Sequence, residues 1–432
     1  MNIIYLHTHD SGRFIQPYGY AMPTPRLMQL AEEGTLFRQA YSAAPTCSPS
    51  RAALLTGMCP HSAGMLGLVN RGFQMTDYSQ HLVQYLNRHD FHTVLFGVQH
   101  EARRSEDIGY QLAFDSREEN SVTRDLSNAK TAAAYIKEKK ERPFFMSFGM
   151  FNTHRVYPEV TPDLNPNYVM PPFPLPDNHE VRKDVAAYMT SVRVVDECVG
   201  IIMDALRESG KEDDTLIIFT TDHGIAFPHM KGNLYDTGIG VSWIMKYPQN
   251  KRRGEAVDAL VSQLDFFPTI CDFLGLTKPS WLEGKSLLPL LRKEVDRVRE
   301  EIFAEVTYHA AYEPMRCIRT DRYKLIRFFD DHDQYVPANI DDSVTKKFLV
   351  QNDFLLQRRP KEILLDLYLD PAERVNLLYE TASFEIYREL SNRLEHWMFM
   401  TCDPILDGRV PKPLGAVINK LTCVSPETND YE

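Results

Sequence analysis

Short apolar segments alternate with helical ones from the N-terminus to about residue 300, and this order of elements constrains the fold most. Residues 3–7, 143–148 and 215–219 are apolar runs of strand length, which predict strands buried on both faces. Amphipathic helices are predicted between them, and the longest covers residues 181–208. Strands and helices in alternation predict a layered α/β domain around a largely parallel sheet.

The other predicted elements continue the alternation of strands and helices, and those near the C-terminus depart from it. Further strands are predicted over residues 36–41, 92–98 and 242–246, and further helices over residues 25–33, 80–88, 127–139 and 265–274. Beyond them, a hairpin is predicted over residues 315–329, a strand over residues 364–369 and a closing helix over residues 384–400. We therefore expect a larger α/β domain over residues 1–298 and a smaller α+β subdomain with an antiparallel sheet over residues 299–432.

The charge of the chain limits what it can bind. Its 432 residues carry a formal net charge of −11, whereas a protein that binds nucleic-acid phosphates needs a basic face. We therefore expect no nucleic-acid partner. The overall balance is still compatible with a local cationic pocket that binds a small anion.

The cysteines, the N-terminus and the lengths of the apolar runs bear on the cellular compartment of the protein. The seven cysteines are odd in number and none forms a Cys-x-x-Cys pair, which favours reduced thiols over a disulfide framework or a zinc site. The N-terminus lacks a basic n-region and a cleavage site, and no apolar run approaches the roughly 18 residues of a membrane span. We expect a cytoplasmic protein without a membrane partner, or a periplasmic or secreted one if a leader was removed.

A short stretch around Cys47 predicts a reactive position at the start of a helix. Cys47, Pro49 and Arg51 precede an apolar run of helical character, and proline is tolerated in a first helical turn. Cys47 would then lie at the positive end of the helix dipole, where anions bind. Arg51 follows one turn later and can reach toward a group held at Cys47. A buried structural cysteine at a helix start is the alternative interpretation.

Polar residues follow two of the predicted strands at their carboxyl ends. His9 and Asp10 come after the first strand, and Asp222 and His223 come after another wholly apolar one. Ligands of α/β proteins gather at the carboxyl ends of parallel strands, and two carboxylates with two imidazoles can hold a divalent cation. Either pair by itself would equally fit a turn, but both pairs beside Cys47 favour a site.

These stretches resemble the sulfatase family. Residues 47–51, CSPSR, followed by LLTG at residues 54–57, match the family signature position for position. The similarity continues to the C-terminal part, where residues 366–377 resemble a family motif that starts with Asp-Leu, and parts of the chain resemble the N-sulfoglucosamine (heparan) sulfohydrolase branch. The resemblance implies the alkaline-phosphatase-like fold of that family, a layered α/β/α domain with a C-terminal subdomain.

The resemblance also implies a formylglycine-dependent mechanism. In this family a maturation enzyme oxidises the signature cysteine to formylglycine (3-oxoalanine), and the hydrated aldehyde attacks sulfur. The implied metal, with calcium first, would be held by His9, Asp10, Cys47, Asp222 and His223. The implied catalytic residues are Cys47, Arg51, His100, His154 and Lys231. Lys231 and His154 would serve the departing oxygen. His100 would take the proton whose removal expels sulfate.

Two positions depart from the family pattern. His9 stands where the family usually has an aspartate, and a second imidazole shifts metal preference from calcium toward manganese or zinc. Val98 stands where the family commonly has a lysine that helps to bind sulfate. Arg103 or Arg104 would be the candidates to replace that charge.

Together these observations predict a metal-dependent hydrolase of a sulfate ester or sulfamate, acting on a small sulfated sugar. One alternative is a phosphomonoester, phosphodiester or phosphonate hydrolase of the same fold, which the paired histidines at the metal favour. Another is a non-catalytic binder of sulfated glycans that keeps Cys47 unmodified. We expect the loop over residues 157–178 and the C-terminal subdomain to form the rim of the site. The histidines expected to be structural or at the surface are His61, His81, His89, His92, His309, His332 and His396.

Overall fold

A mixed sheet of eight strands forms the centre of the larger part of the molecule. The computed structural model describes residues 1–138 and 141–432. The strands of this sheet are β1 (Asn2–Thr8), β2 (Thr35–Phe37), β4 (His92–Gly97), β5 (Leu112–Phe114), β6 (Phe144–Gly149), β7 (Thr215–Thr221), β8 (Trp243–Lys246) and β9 (Glu255–Val257). Two further strands, β3 (Ala40–Tyr41) and β10 (Val261–Ser262), form a separate parallel pair.

The topology confirms a largely parallel sheet. The strand order is β5-β4-β6-β1-β7-β8-β2-β9, and β8 is the strand that runs antiparallel to its neighbours. β1 and β7 lie side by side near the middle, in parallel register with Thr8 opposite Thr221. Their carboxyl ends therefore meet at the same edge of the sheet.

Both faces of the central strands are covered, as the continuous apolar runs predict. Ile4 and Leu6 of β1 pack into one hydrophobic layer, whereas Ile3 and Tyr5 pack into the layer on the opposite face. Alternate residues of a strand point to opposite faces, so a strand buried on both sides has to be apolar throughout. The predicted α/β/α layering is confirmed.

Helices form the two outer layers and part of the C-terminal region. They are α1 (Pro25–Glu33), α2 (Cys47–Thr56), α3 (Pro60–Ala63), α4 (Leu82–Asn87), α5 (Ser105–Ile108), α6 (Ser121–Lys137), α7 (His179–Glu208), α8 (Asp236–Ile239), α9 (Phe266–Leu274), α10 (Leu288–Leu291), α11 (Val344–Gln351) and α12 (Phe384–Met400). α1, α6 and α7 cover one face of the sheet, and α2, α4 and α9 cover the other. Within the described residues, no helix is both long and apolar enough to span a membrane.

Two of the predicted elements are altered in the structure, and the short strands β5, β9 and β10 were not predicted. The predicted strand over residues 36–41 is not one strand, because the chain turns at Arg38 and Gln39, so that β2 joins the large sheet and β3 pairs with β10. The helix expected over residues 127–139 begins earlier, at Ser121, where the Asn120 side chain accepts hydrogen bonds from two backbone N–H groups of the first turn. Its expected last residue, Lys139, lies outside the described residues.

The C-terminal part contains a second, antiparallel sheet. Its four strands are β11 (Glu301–Tyr308), β12 (Tyr312–Thr320), β13 (Tyr323–Phe328) and β14 (Glu362–Asp366), in that order. β12 and β13 form the predicted hairpin, and the closing helix α12 packs on the sheet through Leu390, Leu394 and Met398. β11 was not among the predicted strands, and the boundary near residue 298 stays a prediction.

Candidate active site

The ends of β1 and β7 bring Asp10 and Asp222 into contact. The backbone N–H of Asp10 donates a hydrogen bond to Oδ1 of Asp222 at 2.9 Å, and the N–H of His223 donates to the same oxygen at 2.9 Å. Asp10 has a φ of 41°, a left-handed conformation that is uncommon outside glycine, asparagine and aspartate. Both carboxylates are buried. The prediction that these two strand ends meet is confirmed by this geometry.

Helix α2 presents Cys47 to these carboxylates. Cys47 is the first residue of the helix, and its Sγ lies 3.3 Å from Nε2 of His223 and 3.9 Å from Oδ1 of Asp10. Its side chain is buried, and burial, reinforced by Asp10 and against the opposing charge of Lys231, raises the pKa of the Cys47 thiol well above its ordinary value. The thiol is therefore held in its neutral form.

Arg51 is fixed by three acceptors on the edge of the sheet. Its Nη2 donates to Oδ2 of Asp222 at 3.0 Å and to the carbonyl of Thr8 at 2.8 Å, while Nη1 donates to Nδ1 of His7 at 2.5 Å. His7 can accept there because its Nε2 faces the hydroxyl of Ser147 at 2.9 Å. Burial and the charge of Arg51 both lower the pKa of His7, which keeps the imidazole neutral.

The imidazoles of His9 and His223 leave nitrogen atoms open toward the carboxylates. Nδ1 of His9 lies 3.3 Å from Oδ2 of Asp222, yet this buried atom makes no hydrogen bond. Nδ1 of His223 faces the carbonyl of Gly224 at 3.0 Å and so carries the proton, which leaves the lone pair of Nε2 pointing toward Oδ1 of Asp10 at 3.3 Å.

These donors fit a divalent cation. Ligand atoms of His9, Asp10, Cys47 and Asp222 all lie within 4.8 Å of one another, and all four residues are buried. Carboxylate oxygens suit calcium, whereas imidazole nitrogen suits manganese or zinc. An unpaired buried nitrogen beside a buried carboxylate is costly unless a cation or a proton joins them.

Lys231 lies between two carboxylates at the edge of the site. Its Nζ donates to Oδ2 of Asp10 at 3.0 Å and lies 3.1 Å from Oδ2 of Asp341. Burial alone would lower the pKa of Lys231, but the charges of Asp10 and Asp341 hold it well above its ordinary value. Burial likewise opposes ionisation of Asp341, but Lys231 holds the pKa of this carboxyl below its usual range. Lys231 therefore keeps its charge and can attract an anion.

His100 and His154 lie against His9, on the solvent-facing side of the cluster. Their rings are 6.0 Å and 5.4 Å from the His9 ring, measured between centroids, and both residues are only half-buried. Burial of the imidazole and the nearby Arg51 lower the pKa of His100 to about 3. Nδ1 of His154 donates to the carbonyl of Arg155 at 2.5 Å, which leaves Nε2 available.

The structure thus brings all nine predicted residues into one cluster, and their individual roles stay predictions. Val98, an uncharged residue at the position where the family commonly has a lysine, follows β4 and is half-buried. Arg103 and Arg104 are exposed, and Arg104 pairs with Asp107 at 2.6 Å. The hypothesis that Arg104 supplies the missing charge is therefore not supported.

Sequence reasoning missed three buried or half-buried residues that contact this cluster. Asp341 contacts Lys231, His7 contacts Arg51, and the carboxylate of Glu101 accepts a hydrogen bond from the N–H of His100 at 3.0 Å. His309 is buried, and burial lowers its pKa to about 3, which agrees with the expected structural position of a neutral imidazole. His7 belongs to the polar end of a predicted strand. Asp341 follows no predicted strand, so no local pattern indicates it.

Comparison with protein families gives two matches. The model described as Sulfatase matches residues 2–276. A second model, described as N-sulphoglucosamine sulphohydrolase, C-terminal, matches residues 228–352.

Individual relatives agree with these matches. Human N-sulphoglucosamine sulphohydrolase is 30% identical over 461 residues, which cover 93% of this chain and 91% of the relative. An ulvan-active sulfatase of Formosa agariphila is 25% identical, over 99% of this chain and 79% of the relative.

Solved structures share the fold. BT4656 in complex with its substrate D-glucosamine-2-N,6-O-disulfate aligns with a TM-score of 0.74 at 19% identity, over 95% of this chain and 99% of that structure. The phosphonate monoester hydrolase of Agrobacterium radiobacter aligns with a TM-score of 0.73 at 18% identity, over 94% of this chain and 97% of that one. At these identities the likeness concerns the fold alone.

Proposed function

The chain belongs to the sulfatase family and is a sulfuric ester hydrolase, and we propose that it removes a sulfo group from a small sulfated sugar. The observation that carries the proposal is the position of Cys47, at a helix start against Asp10 and Asp222 and between the fixed cations Arg51 and Lys231. Such an arrangement holds an anion beside a potential nucleophile.

The substrate we favour carries an N-sulfo group on glucosamine. Human N-sulphoglucosamine sulphohydrolase is similar along nearly its whole length, and the C-terminal model named after that enzyme also matches this chain. Other relatives are named for different sulfated glycans, so a sulfate ester on a sugar is the second choice within the same activity.

We infer that Cys47 acts after a maturation enzyme has converted it to formylglycine. The neutral thiol of Cys47 is a weak nucleophile, because it is the thiolate that attacks. A hydrated aldehyde at the same position offers two hydroxyl groups. One can attack sulfur, and loss of the proton from the other allows sulfate to leave.

A divalent cation fits the proposal, with calcium first and manganese or zinc also compatible with the imidazoles. His9, Asp10, Asp222 and His223 would hold it, together with the modified residue 47. Bound there, such a cation supplies positive charge that lowers the pKa of a hydroxyl and polarises the sulfo oxygens.

The protein's own groups have distinct tasks in this proposal. Arg51, fixed by three acceptors, keeps a permanent positive charge beside residue 47. Lys231 keeps its proton and attracts the sulfo group or the departing oxygen. His100 is neutral and can accept a proton, and His154 offers Nε2 toward the leaving group.

The proposal is tested with protein produced together with a formylglycine-generating enzyme. We expect the mass of the Cys47 peptide to show the thiol replaced by an aldehyde, and this protein to hydrolyse D-glucosamine N-sulfate faster than N-acetylglucosamine 6-sulfate. Protein from cells that lack the maturation enzyme serves as the matched control and should be inactive. Converted protein that cleaves neither sugar nor 4-nitrophenyl sulfate would contradict the proposal.

A phosphonate or phosphate ester hydrolase is the second candidate. The two imidazoles at the proposed metal position favour it, since they suit cations other than calcium. The same converted protein should be assayed with aryl phosphate and aryl phosphonate esters beside the aryl sulfate. Faster cleavage of a phosphonate than of every sulfate and sulfamate would replace our first choice. Unconverted, inactive protein that still binds a sulfated glycan would favour a non-catalytic binder.

A further inference from the structure

The ammonium group of Lys231 is shared between an inner carboxylate and an outer one. Asp10 is fully buried, and the Lys231 side chain is 3% exposed, whereas the side chain of Asp341 is 19% exposed. Asp341 lies in the C-terminal part of the chain, just before α11, and it reaches Lys231 across 110 residues of sequence. Of Asp10, Lys231 and Asp341, Asp341 is therefore the most accessible to solvent and to a bound substrate.

The Asp341 carboxylate has spare capacity to accept hydrogen bonds. An ionised carboxylate can accept about four of them. Asp222 uses this capacity, because it accepts from two backbone N–H groups and from Arg51. Among the residues that the structure describes, Lys231 is the one donor bonded to Asp341. The Asp341 carboxylate, which is partly exposed, therefore keeps lone pairs that no donor of the described residues uses.

A carboxylate at this point has consequences for an anionic substrate. Lys231 attracts a sulfo group, but a negative charge 3.1 Å from its ammonium reduces that attraction. A substrate gains binding energy at Asp341 only if it carries a hydrogen-bond donor that reaches this carboxylate. Hydrogen bonds to a charged acceptor are stronger than neutral ones. Sugars carry such donors beside a sulfo group, as hydroxyl or N–H groups. Small aryl sulfates do not.

We propose that Asp341 is a specificity-determining residue, which accepts a hydrogen bond from a hydroxyl or N–H group of the sugar that bears the sulfo group. This inference rests on the proposed function of the site. It assigns the choice between sulfated sugars and simple sulfates to a residue of the C-terminal part, outside the residues that the sequence indicates.

The test compares Asp341→Ala and Asp341→Asn with Asp342→Asn as the matched control. Asp342 is the neighbouring carboxylate, but it is exposed and pairs with Lys346 and Ser425 instead of Lys231. Asp342→Asn therefore removes one negative charge at the adjacent position without removing a contact to Lys231. Each protein is assayed in its formylglycine form on 4-nitrophenyl sulfate and on whichever of D-glucosamine N-sulfate and N-acetylglucosamine 6-sulfate the wild type cleaves faster.

We expect Asp341→Ala to lower the ratio of kcat/KM for the sugar to kcat/KM for the aryl sulfate about tenfold or more, mainly through KM. Asp341→Asn keeps an acceptor oxygen and should lie between Asp341→Ala and the wild type. The inhibition constant of inorganic sulfate should fall in both variants, because the repelling carboxylate is gone. Asp342→Asn should change neither quantity by more than about twofold.

A structural role for Asp341 predicts the opposite pattern. If Asp341 only holds Lys231 in place, both substrates lose activity equally and inorganic sulfate inhibits less, and that result would overturn the inference. A wild type that cleaves the aryl sulfate but neither sugar would overturn it as well, while leaving the hydrolase activity intact. A wild type that cleaves no sulfate at all would instead contradict the proposed function, and the inference would fall with it.

Discussion

Two buried clusters among the described residues combine histidine with carboxylates, and they differ in how well they are suited to hold a cation. The first, the active-site cluster, contains His9, Asp10, Cys47 and Asp222. The second, the ion-pair cluster, contains His61, Glu305 and Asp403, together with Arg316. In each, the potential ligand atoms lie within 4.8 Å of one another, so composition and spacing alone do not separate them.

In the ion-pair cluster, the carboxylates are already paired with His61 and Arg316. Nδ1 of His61 lies 2.7 Å from Oε2 of Glu305, and Nε of Arg316 lies 3.1 Å from the same oxygen. Arg316 also forms a double hydrogen bond with Asp403, at 2.6 Å and 2.9 Å. Nδ1 of His61 and both carboxylates are already paired, so Arg316 and His61 occupy the atoms that would otherwise bind a metal ion there.

The active-site cluster differs in the state of its imidazoles. Nδ1 of His9 has no hydrogen-bond partner, and the lone pair of His223 Nε2 faces Asp10 and Cys47. Arg51 contacts the carboxylate of Asp222, and Lys231 contacts those of Asp10 and Asp341. Neither cation is bonded to a ring nitrogen of His9 or His223. A free nitrogen next to a buried carboxylate, and not the presence of both residue types, distinguishes a functional cluster from a structural one.

The largest expected effect concerns activity in the active-site cluster. Cys47→Ala should lower kcat for sulfate hydrolysis by at least about a thousandfold, because the nucleophile is lost while the cations stay in place. The assay uses 4-nitrophenyl sulfate at saturating concentration, with circular dichroism as a check of folding. Cys59→Ala, at a second buried cysteine near the ion-pair cluster, is the control and should keep activity. Turnover by Cys47→Ala close to that of the wild type would refute the assigned nucleophile.

The next effect concerns stability in the ion-pair cluster. Arg316→Ala removes the guanidinium that pairs with both Glu305 and Asp403 and leaves these two buried carboxylates with His61 alone, so the free energy of unfolding should fall by about 3–5 kcal/mol. Urea unfolding measures this loss, and the folded fraction should keep its kcat at low temperature. Arg388→Ala, which breaks an exposed ion pair on α12, should have little effect on stability. A variant as stable as the wild type would show that the cluster is not a structural ion pair.

Removal of the metal should then show which of the two clusters binds it. A cation present at 100 times its dissociation constant stabilises the folded state by about 2.7 kcal/mol, so chelation should lower the Tm of the wild type. Asp222→Asn should abolish this response, since it removes a proposed ligand. Glu305→Gln should be less stable but should respond to the chelator as the wild type does. An unchanged response in Asp222→Asn, or a lost one in Glu305→Gln, would reverse our assignment of the two clusters.

The part of the site that follows from the sequence is the part built by local patterns. Asp10 and Asp222 are indicated because each lies within a few residues of the end of an apolar run long enough for a buried strand, and parallel neighbours bring such ends together. Cys47 and Arg51 are indicated because they are one helical turn apart. These relations involve a few residues each, and a short segment of sequence contains them in full.

The remaining features depend on contacts between distant segments. Asp341 meets Lys231 across 110 residues, and Glu305 meets His61 across 244. Neither acid follows a strand end or has a periodic neighbour that indicates its partner. The run over residues 36–41 has strand character throughout, but its division into β2 and β3 is determined by β9 and β10, with which the two halves pair. Local propensity does not contain that information.

The smallest expected effect is on the pH dependence of stability in the ion-pair cluster. Burial alone would lower the pKa of His61, but the charges of Glu305 and Asp403 raise it above its ordinary value. A folded-state pKa above the unfolded one means that His61 contributes stability that is fully present below about pH 6.5 and is lost as the pH rises through the folded pKa. The urea midpoint of the wild type should therefore fall more steeply above about pH 6.5 than that of His61→Gln. His396→Gln, at an exposed histidine of α12, should follow the wild type. If His61→Gln loses stability over this range as steeply as the wild type, His61 is not charged in the folded protein, and the ion-pair cluster holds its carboxylates through Arg316 alone.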